Sequence, residues 1–483
     1  MTDLAILAQP RLLPDWLLPP EKPENWRNLH TFWCAPERLP AFVTHCPTSA
    51  RLLELLGPLH WSDFPERNLQ RNWGQFTIPF RALVAAELIK LNEDIVSFGK
   101  LKTFLIEHPG LVWLLGFPLQ LAPNHPLGFN ARGSLPTQRH FTKMLHLLPN
   151  ASLQFLLADT IQLILEELRS RQAPPLTCVS LDTKHILAWV KENNPKAYVR
   201  ERFNKLKQPA GDPDCRLGCK RRHNQMTPTR NPKSAATVKV GEYYWGYGSG
   251  VVVTSVPPWG EFVLAELTQP FDQADTSYFF PLMAQTEARL GFRPRIGTFD
   301  AAFDAWYVYA HFHRENDPMG GFAAVPFSEK GGYKITDRHF SPEGLPLCTA
   351  GLPMTLHFTF TDRTSSLIAH ERAKYICPLL ASRRRRVCPV HHRNWKRGGC
   401  TAMMPTSIGA RLRYTLDRNS EIYKNAYRQR TAVERINSQA FALGIERPHL
   451  RNGLAIANQN TLIYVLINLR FLQRLRRNQT QVE

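Results

Sequence analysis

The order of strand-like and helix-like segments between residues 176 and 327 constrains the fold most. Three segments rich in β-branched and aromatic residues come first, and a helix, a strand, a helix and a last strand follow. Their predicted bounds in chain order are 176–190, 242–256, 262–267, 276–290, 295–300, 305–314 and 322–327. Strands interleaved with helices favour an α/β fold with a mixed sheet over a β-sandwich. The basic stretch 209–232 between the first two segments is predicted to be a loop.

Three acidic residues occupy positions that such a sheet can bring together. The element order is that of an RNase H-like domain, in which the first and fourth strands are neighbours. Asp182 is at the centre of the first strand, Asp300 ends the fourth, and Glu434 lies on a later helix. Three carboxylates suit two divalent ions, Mg2+ or Mn2+, about 3.5–4 Å apart. Asp304, one helical turn after Asp300, is an alternative second acid, and a capping or salt-bridged role is the alternative for each aspartate.

Residues 423–441 contain no proline or glycine and are predicted to form one continuous helix. At 100° per residue, Tyr427, Arg430 and Glu434 fall within an arc of roughly 60°. A phenol, a guanidinium and a carboxylate on one face suit a site that handles phosphate and metal. The alternative is an amphipathic helix in which Arg430 and Glu434 form a solvated i,i+4 pair.

These motifs resemble those of the DDE transposases of bacterial insertion sequences, in the branch with a Tyr-x-x-Arg-x-x-x-Glu-x-x-x-x-x-x-Lys signature. The resemblance covers roughly residues 176–470. Its first acid lies in Leu-Asp-Thr-Lys at 181–184 and its second in Phe-Asp-Ala-Ala-Phe-Asp at 299–304, and the signature begins at Tyr427.

The resemblance implies an enzyme that cuts element ends and then transfers the 3′-hydroxyl to target DNA. Asp182, Asp300 and Glu434 would bind the metal ions. Arg430 would hold a phosphate near the scissile bond, and Tyr427 and Lys184 would contact DNA.

The signature lysine is absent, because Phe441 occupies its position. Arg435, Arg447 or Arg451 could supply the missing charge. This departure gives weight to a second interpretation, a catalytically inactive, transposase-derived DNA-binding protein. A metal-dependent nuclease without strand transfer is a third.

The charge of the chain favours a polyanionic partner. Sixty Lys and Arg residues against forty Asp and Glu give a net charge of +20. Segment 134–145, with an N-cap at Ser134 or Thr137, resembles part of a helix-turn-helix unit, so Arg139 and Lys143 are expected to contact double-stranded DNA. An ordinary surface helix is the alternative. Cleavage at two element ends implies at least a homodimer.

Composition and pattern divide the chain into five regions. They are an irregular or helical segment (1–75), an all-α DNA-binding domain (76–172), the RNase H-like catalytic domain (173–327 and 420–470), an inserted subdomain before the last acidic helix (328–419) and a basic tail (471–483). About ninety residues separate the last strand from the acidic helix, which is too long for a plain loop.

Two groups of cysteine and histidine residues are candidate structural zinc sites, with ordinary thiols as the alternative. The first is Cys215, Cys219 and His223; the second is Cys377, Cys388, His391 and Cys400, with His392 as a substitute for His391. The chain lacks a long apolar run and its first twenty residues do not resemble a signal peptide, so a cytoplasmic, nucleoid-associated protein is expected.

Overall fold

The computed structural model describes residues 29–67, 69, 77–226, 237–314, 320–328, 338–363, 367–381 and 387–477. For residues 220–226 and 237–241 it describes the backbone alone. The run of four arginines that begins at residue 383 lies outside these ranges.

Helices make up the regular structure of the described residues before residue 171. They are α1 (Leu29–Cys34), α2 (Ala41–Thr44), α3 (Pro47–Leu56), α4 (Phe80–Asn92), α5 (Phe98–Glu107), α6 (Pro109–Leu114), α7 (Ala131–Ser134), α8 (Gln138–Leu147) and α9 (Asn150–Ser170). Thr137 is the N-cap of α8, since its side chain accepts a hydrogen bond from the backbone N–H of His140 at 3.3 Å. Ser134 instead ends α7.

A mixed sheet of six strands follows, so the chain is an α/β protein. The strands are β1 (Cys178–Leu187), β2 (Arg216–Met226), β3 (Thr237–Val256), β4 (Gly260–Pro270), β5 (Ile296–Thr298) and β6 (Phe322–Ala324). The central order is β4, β3, β1, β5, β6, in which β3 is antiparallel to β4 and β1, whereas β1, β5 and β6 are parallel. Between β4 and β6 the chain forms α10 (Phe279–Leu290) and α11 (Trp306–Phe312).

The expected loop at 209–232 is wrong for its central part, because β2 lies there. β2 pairs with the first half of β3, from Thr237 to Gly246, and β4 pairs with the second half. Basic residues in β2 suggested a loop, but a partner strand provides the backbone hydrogen bonds, and pairing context outweighs weak local β-propensity.

Close approach of α10 to the sheet depends on the glycines of β3. A Cβ atom at Gly250 would lie 2.4 Å from the Tyr278 ring, and the Tyr278 hydroxyl donates to the carbonyl of Gly248 at 3.0 Å. Only residues without a side chain leave room for this ring.

Between β6 and the last helices the chain forms a second, antiparallel sheet in the order β7 (Thr355–Asp362), β8 (His370–Ile376), β9 (Thr401–Pro405). α12 (Pro378–Ala381) lies between β8 and β9. The remaining helices are α13 (Ile408–Thr415), α14 (Glu421–Arg428), α15 (Thr431–Ala442) and α16 (Gly453–Arg477).

Helix α16 packs on both the first helices and the sheet, so most of the buried apolar residues described form one continuous core that includes Leu29 and Leu475. Asn468 donates to Thr160 of α9 and exchanges two hydrogen bonds with the backbone of Val263 in β4. Asn458 donates to the carbonyls of Leu145 and Leu148 at the end of α8. None of the described helices is long and apolar enough to span a bilayer.

Candidate active site

Asp182, in the middle of β1, and Asp300, two residues after the end of the parallel neighbour β5, lie close enough for each charge to act on the other. Ser180 of β1 is in register with Thr298 of β5, and each aspartate is two residues further along its chain. Adjacent strands are about 4.8 Å apart. The sheet therefore brings these two predicted acids together.

Burial is the main influence on Asp182, whose pKa it raises to about 6. A hydrogen bond from the Thr183 backbone and the charge of Arg430 lower this pKa, whereas Asp300 and Asp275 raise it. Asn437 of α15 donates to Asp182 Oδ2 at 3.1 Å. The carboxylate is thus held in place in surroundings that disfavour its charge.

Asp300 follows β5 and begins a 3-10 turn, where its carboxylate accepts a hydrogen bond from the N–H of Ala302 at 2.9 Å. Burial raises the pKa of Asp300, and Asp275 raises it further, whereas Arg430 lowers it. Both aspartates of the pair therefore have raised pKa values, and the positive charge of Arg430 offsets only part of each shift.

Asp304, the alternative second acid, is occupied by structural contacts. Its side chain is fully buried and forms an ion pair with Arg413 of α13, with atoms 2.5 and 2.7 Å apart. It also accepts hydrogen bonds from the hydroxyl of Tyr309 and the backbone N–H of Ser328, both at 2.8 Å. These contacts favour Asp300 as the acid beside Asp182.

Asp275 is a third aspartate near the pair, and the sequence patterns did not single it out. It begins the 3-10 turn before α10, and the hydroxyl of Thr183 donates to its Oδ1 at 2.8 Å. Burial raises its pKa. Its position in an Asp-Thr-Ser turn reads as an ordinary helix cap, and its partner on β1 is 92 residues away in the chain.

The predicted continuous helix over 423–441 is wrong, since the chain forms α14 and α15 with a turn at Gln429 and Arg430. The carbonyl of Gln429 accepts hydrogen bonds from the Ala432 N–H at 3.0 Å and from the Ser180 hydroxyl at 3.1 Å. A hydroxyl on β1 therefore satisfies a carbonyl at the helix break and attaches the turn to the sheet.

Arg430 and Glu434 remain neighbours across this turn. Arg430 Nη1 lies 2.6 Å from Glu434 Oε1, and about half of the Glu434 side chain is exposed. Burial lowers the pKa of Arg430, but the charges of Asp182, Tyr427, Glu434 and Asp300 together outweigh it, so the pKa is raised. The guanidinium of Arg430 therefore interacts with all three predicted acids. The Glu434 carboxylate is bonded to this guanidinium and does not join the two aspartates.

The side-chain amide of Asn437 is also part of the candidate site. Its Oδ1 is buried and has no hydrogen-bond partner among the described residues, while its Nδ2 holds Asp182. A buried amide oxygen without a hydrogen-bond partner is costly unless a bound water or ion satisfies it. Its spacing of one turn from Glu434 could have drawn attention to it in the sequence.

Tyr427 stacks on Tyr423 with ring centroids 5.8 Å apart, and it is partly buried beside Arg430. Lys184, two residues after Asp182, lies 3.6 Å from Glu446 and 5.3 Å from the centre of the Phe441 ring. A lysine ammonium therefore lies next to Phe441, and Lys184 of β1 supplies it. Of the suggested substitutes, Arg435 instead pairs with Glu261 at 3.0 Å.

Arg139 and Lys143 are exposed on α8, one turn apart. The apolar residues Phe141, Met144 and Leu145 of the same helix are buried in the core. The two cations thus share an open face that belongs to the first helices and not to the acidic cluster.

Within the described ranges, no three His, Cys, Asp or Glu side chains are grouped closely enough to hold a metal ion. Of the possible zinc ligands, Cys377 and Cys388 are buried, whereas His391 is exposed and the Cys400 thiol lies 3.4 Å from the Thr349 hydroxyl. Zinc binding at this cluster remains a prediction. In the other cluster the Cys215 thiol donates to the carbonyl of Asp212, and the His223 side chain lies outside the described residues.

Neither a family model nor a curated protein matches this chain.

Proposed function

We propose that the chain is a DDE transposase with an RNase H-like catalytic domain. The observation that carries the proposal is the proximity of Asp182 on β1 to Asp300, which follows the parallel strand β5, with Asn437 of α15 bonded to Asp182. The strand order β4, β3, β1, β5, β6, with two antiparallel and two parallel neighbours, supports the RNase H-like assignment. The net charge of +20 favours DNA as the substrate.

Asp182 and Asp300 supply the type of ligand that Mg2+ and Mn2+ prefer, and the third carboxylate of the proposal, Glu434, is paired with Arg430. Two neighbouring buried carboxylates repel each other, and a divalent cation between them would offset both this repulsion and the cost of burial. The unsatisfied Asn437 oxygen is also a ligand type that these ions accept. Asp182 and Asp300 would hold the ions, and Glu434 would join them on release from Arg430.

Bound ions would supply an activated water and stabilise the leaving oxygen of an in-line displacement. The protein groups supply the geometry. Asn437 fixes the Asp182 carboxylate, and Ser180 fixes the turn that carries Arg430. On release from Glu434, the planar guanidinium of Arg430 can bond two oxygens of one phosphate.

DNA contacts outside the acidic cluster would come from two surfaces. Arg139 and Lys143 present adjacent charges on α8, which suits the backbone of a duplex. Lys184 and Tyr427 flank the cluster and would contact the strand that enters it. A homodimer would place one such site at each element end.

The test is cleavage of a labelled duplex that carries the inverted repeats flanking the gene, in Mg2+ and in chelator. We expect the native protein to nick this duplex in Mg2+ and Asp182→Asn to lose nicking while it retains DNA binding in chelator. Asp272→Asn, which neutralises an exposed aspartate, is the matched control and should cleave like the native protein. Cleavage by Asp182→Asn at the native rate would refute the proposal.

The same assay distinguishes the two alternatives. An inactive DNA-binding protein would bind the duplex equally in Mg2+ and chelator and never nick it. A nuclease would nick the duplex and fail to join the 3′ end to a target.

A further inference from the structure

A cleft of about 450 Å³ opens where β1 ends, against the loop that follows α15. Its volume falls within the range of small-molecule sites. The lining residues that bear on its chemistry are Trp189, Lys191, Asn194, Arg447, His449 and Arg451.

The cleft is cationic. Lys191, Arg447 and Arg451 are exposed, and none of them forms an ion pair with a carboxylate in the part of the chain that the structure describes. The nearest acids in sequence do not neutralise these charges. Glu192 is buried, and Glu446 pairs with Lys184. Three positive charges around a concave surface favour an anionic ligand.

An aromatic surface accompanies these charges. The Trp189 side chain is 52% exposed, although His449 stacks on it at 5.4 Å and the Arg451 guanidinium lies 5.0 Å from the ring centre. The His449 ring and the Arg451 guanidinium pack against the indole and restrict its orientation. An exposed, oriented indole beside cations is the combination that binds a base and its phosphate.

The loop that forms one wall is fixed to the sheet. The N–H of Leu187 donates to the carbonyl of Glu446 at 2.9 Å, and Arg451 Nε donates to the carbonyl of Trp189 at 3.3 Å. Gly444 and Asn452 bound this loop with φ values of +85° and +80°. The cleft is therefore preformed, which reduces the entropy lost on binding.

We propose that this cleft binds an unpaired nucleotide of single-stranded DNA, with the base against Trp189 and the phosphate between Arg447 and Lys191. The lining of the cleft includes none of Asp182, Asp300 and Glu434, so the two sites are distinct. The seven residues from Asp182 to Trp189 keep them within about 25 Å of each other. Lys184 of β1 lies between Asp182 and Trp189 along the chain. The choice of DNA as the ligand rests on the proposed function. The preference of the cleft for an anion with an aromatic group rests only on its lining residues.

The experiment measures binding of a short fluorescein-labelled oligothymidylate by anisotropy, in EDTA. No cleavage occurs in EDTA, so the result is independent of the cleavage assay. We expect Trp189→Ala to weaken binding about 5- to 150-fold, the range for loss of one stacked base, and Trp189→Phe to retain most of the affinity. Arg447→Ala should also weaken binding and reduce its salt dependence.

Arg169→Ala is the control, because it removes one exposed charge at the end of α9, outside the cleft. It should bind nearly as tightly as the native protein. Two results would overturn the proposal: native affinity in Trp189→Ala, or equal losses in Arg169→Ala and Arg447→Ala. Binding of free thymidine monophosphate but not of the oligonucleotide would also overturn it, since the cleft would then be a mononucleotide site.

Discussion

Replacement of Arg413 by Met tests whether Asp304 has a structural role. Asp304 is fully buried, and the guanidinium of Arg413 is its only cationic partner among the described residues. Two hydrogen bonds, from Tyr309 and the N–H of Ser328, would remain in the variant. Removal of one partner from a buried ion pair leaves an uncompensated charge and costs about 3–5 kcal/mol.

The second change in this experiment is Asp304→Asn, which removes the negative charge and nearly preserves the shape. Arg413→Met with Asp304→Asn should be more stable than Arg413→Met alone, because the double variant has no buried unpaired charge. We expect the double variant to recover at least about half of the loss.

The assay is urea denaturation followed by far-UV circular dichroism for the native protein, the two single variants and the double variant. Since α13 contacts α11, the shift should appear in the transition that includes the main sheet. A loss below about 1 kcal/mol in Arg413→Met, the value for a surface pair, would refute the reasoning. Equal stability of Arg413→Met and the double variant would refute it as well.

Four further outcomes are expected. Metal binding by the acidic cluster, measured by titration calorimetry with Mn2+, should weaken as the pH falls below about 6, where Asp182 becomes protonated, and Asp182→Asn should lose this dependence. Burial raises the pKa of Glu266 to about 7 from its ordinary 4.5, so the folded state holds this proton more tightly than the unfolded state and stability falls as the pH rises through that window. Glu266→Gln should remove a total change of about 3 kcal/mol in the free energy of urea unfolding between about pH 4.5 and 7, and an unchanged pH dependence would contradict the assignment. Gly250→Ala should destabilise the fold by about 1–3 kcal/mol through its clash with Tyr278, whereas Gly99→Ala, with 3.5 Å of clearance, should melt within a few degrees of the native protein. Elemental analysis of protein purified without added zinc should find a structural ion if the second cysteine and histidine cluster binds one, and less than about 0.2 zinc per chain would exclude it.

Secondary-structure elements were predicted most accurately where residues close together in the sequence determine them. The apolar run around Asp182 and the short strand before Asp300 were sufficient to predict β1 and β5, because a buried strand is a continuous apolar segment. α10 and α11 also fall within their predicted segments. The likeness of the whole fold to an RNase H-like domain stays a proposal, since it depends on how the strands pair.

The features that the sequence did not predict depend on distant partners. The break before α15 contains no proline or glycine, and it is stabilised by Ser180, 249 residues earlier in the chain. Asp275 lies near the two predicted aspartates only because the turn before α10 folds back onto Thr183. β2 is a strand because half of β3 extends past β1 and needs a neighbour. Local composition carries no information about such contacts.

The position of α16 has a consequence for synthesis of the protein. This helix contributes buried side chains to the core between the first helices and the sheet, and its Asn458 and Asn468 satisfy backbone groups of α8 and β4. A nascent chain therefore cannot close its core until residues 453–477 have left the ribosome. Until then, the apolar faces of α9 and β4 remain open to water, which makes the unfinished chain prone to aggregation.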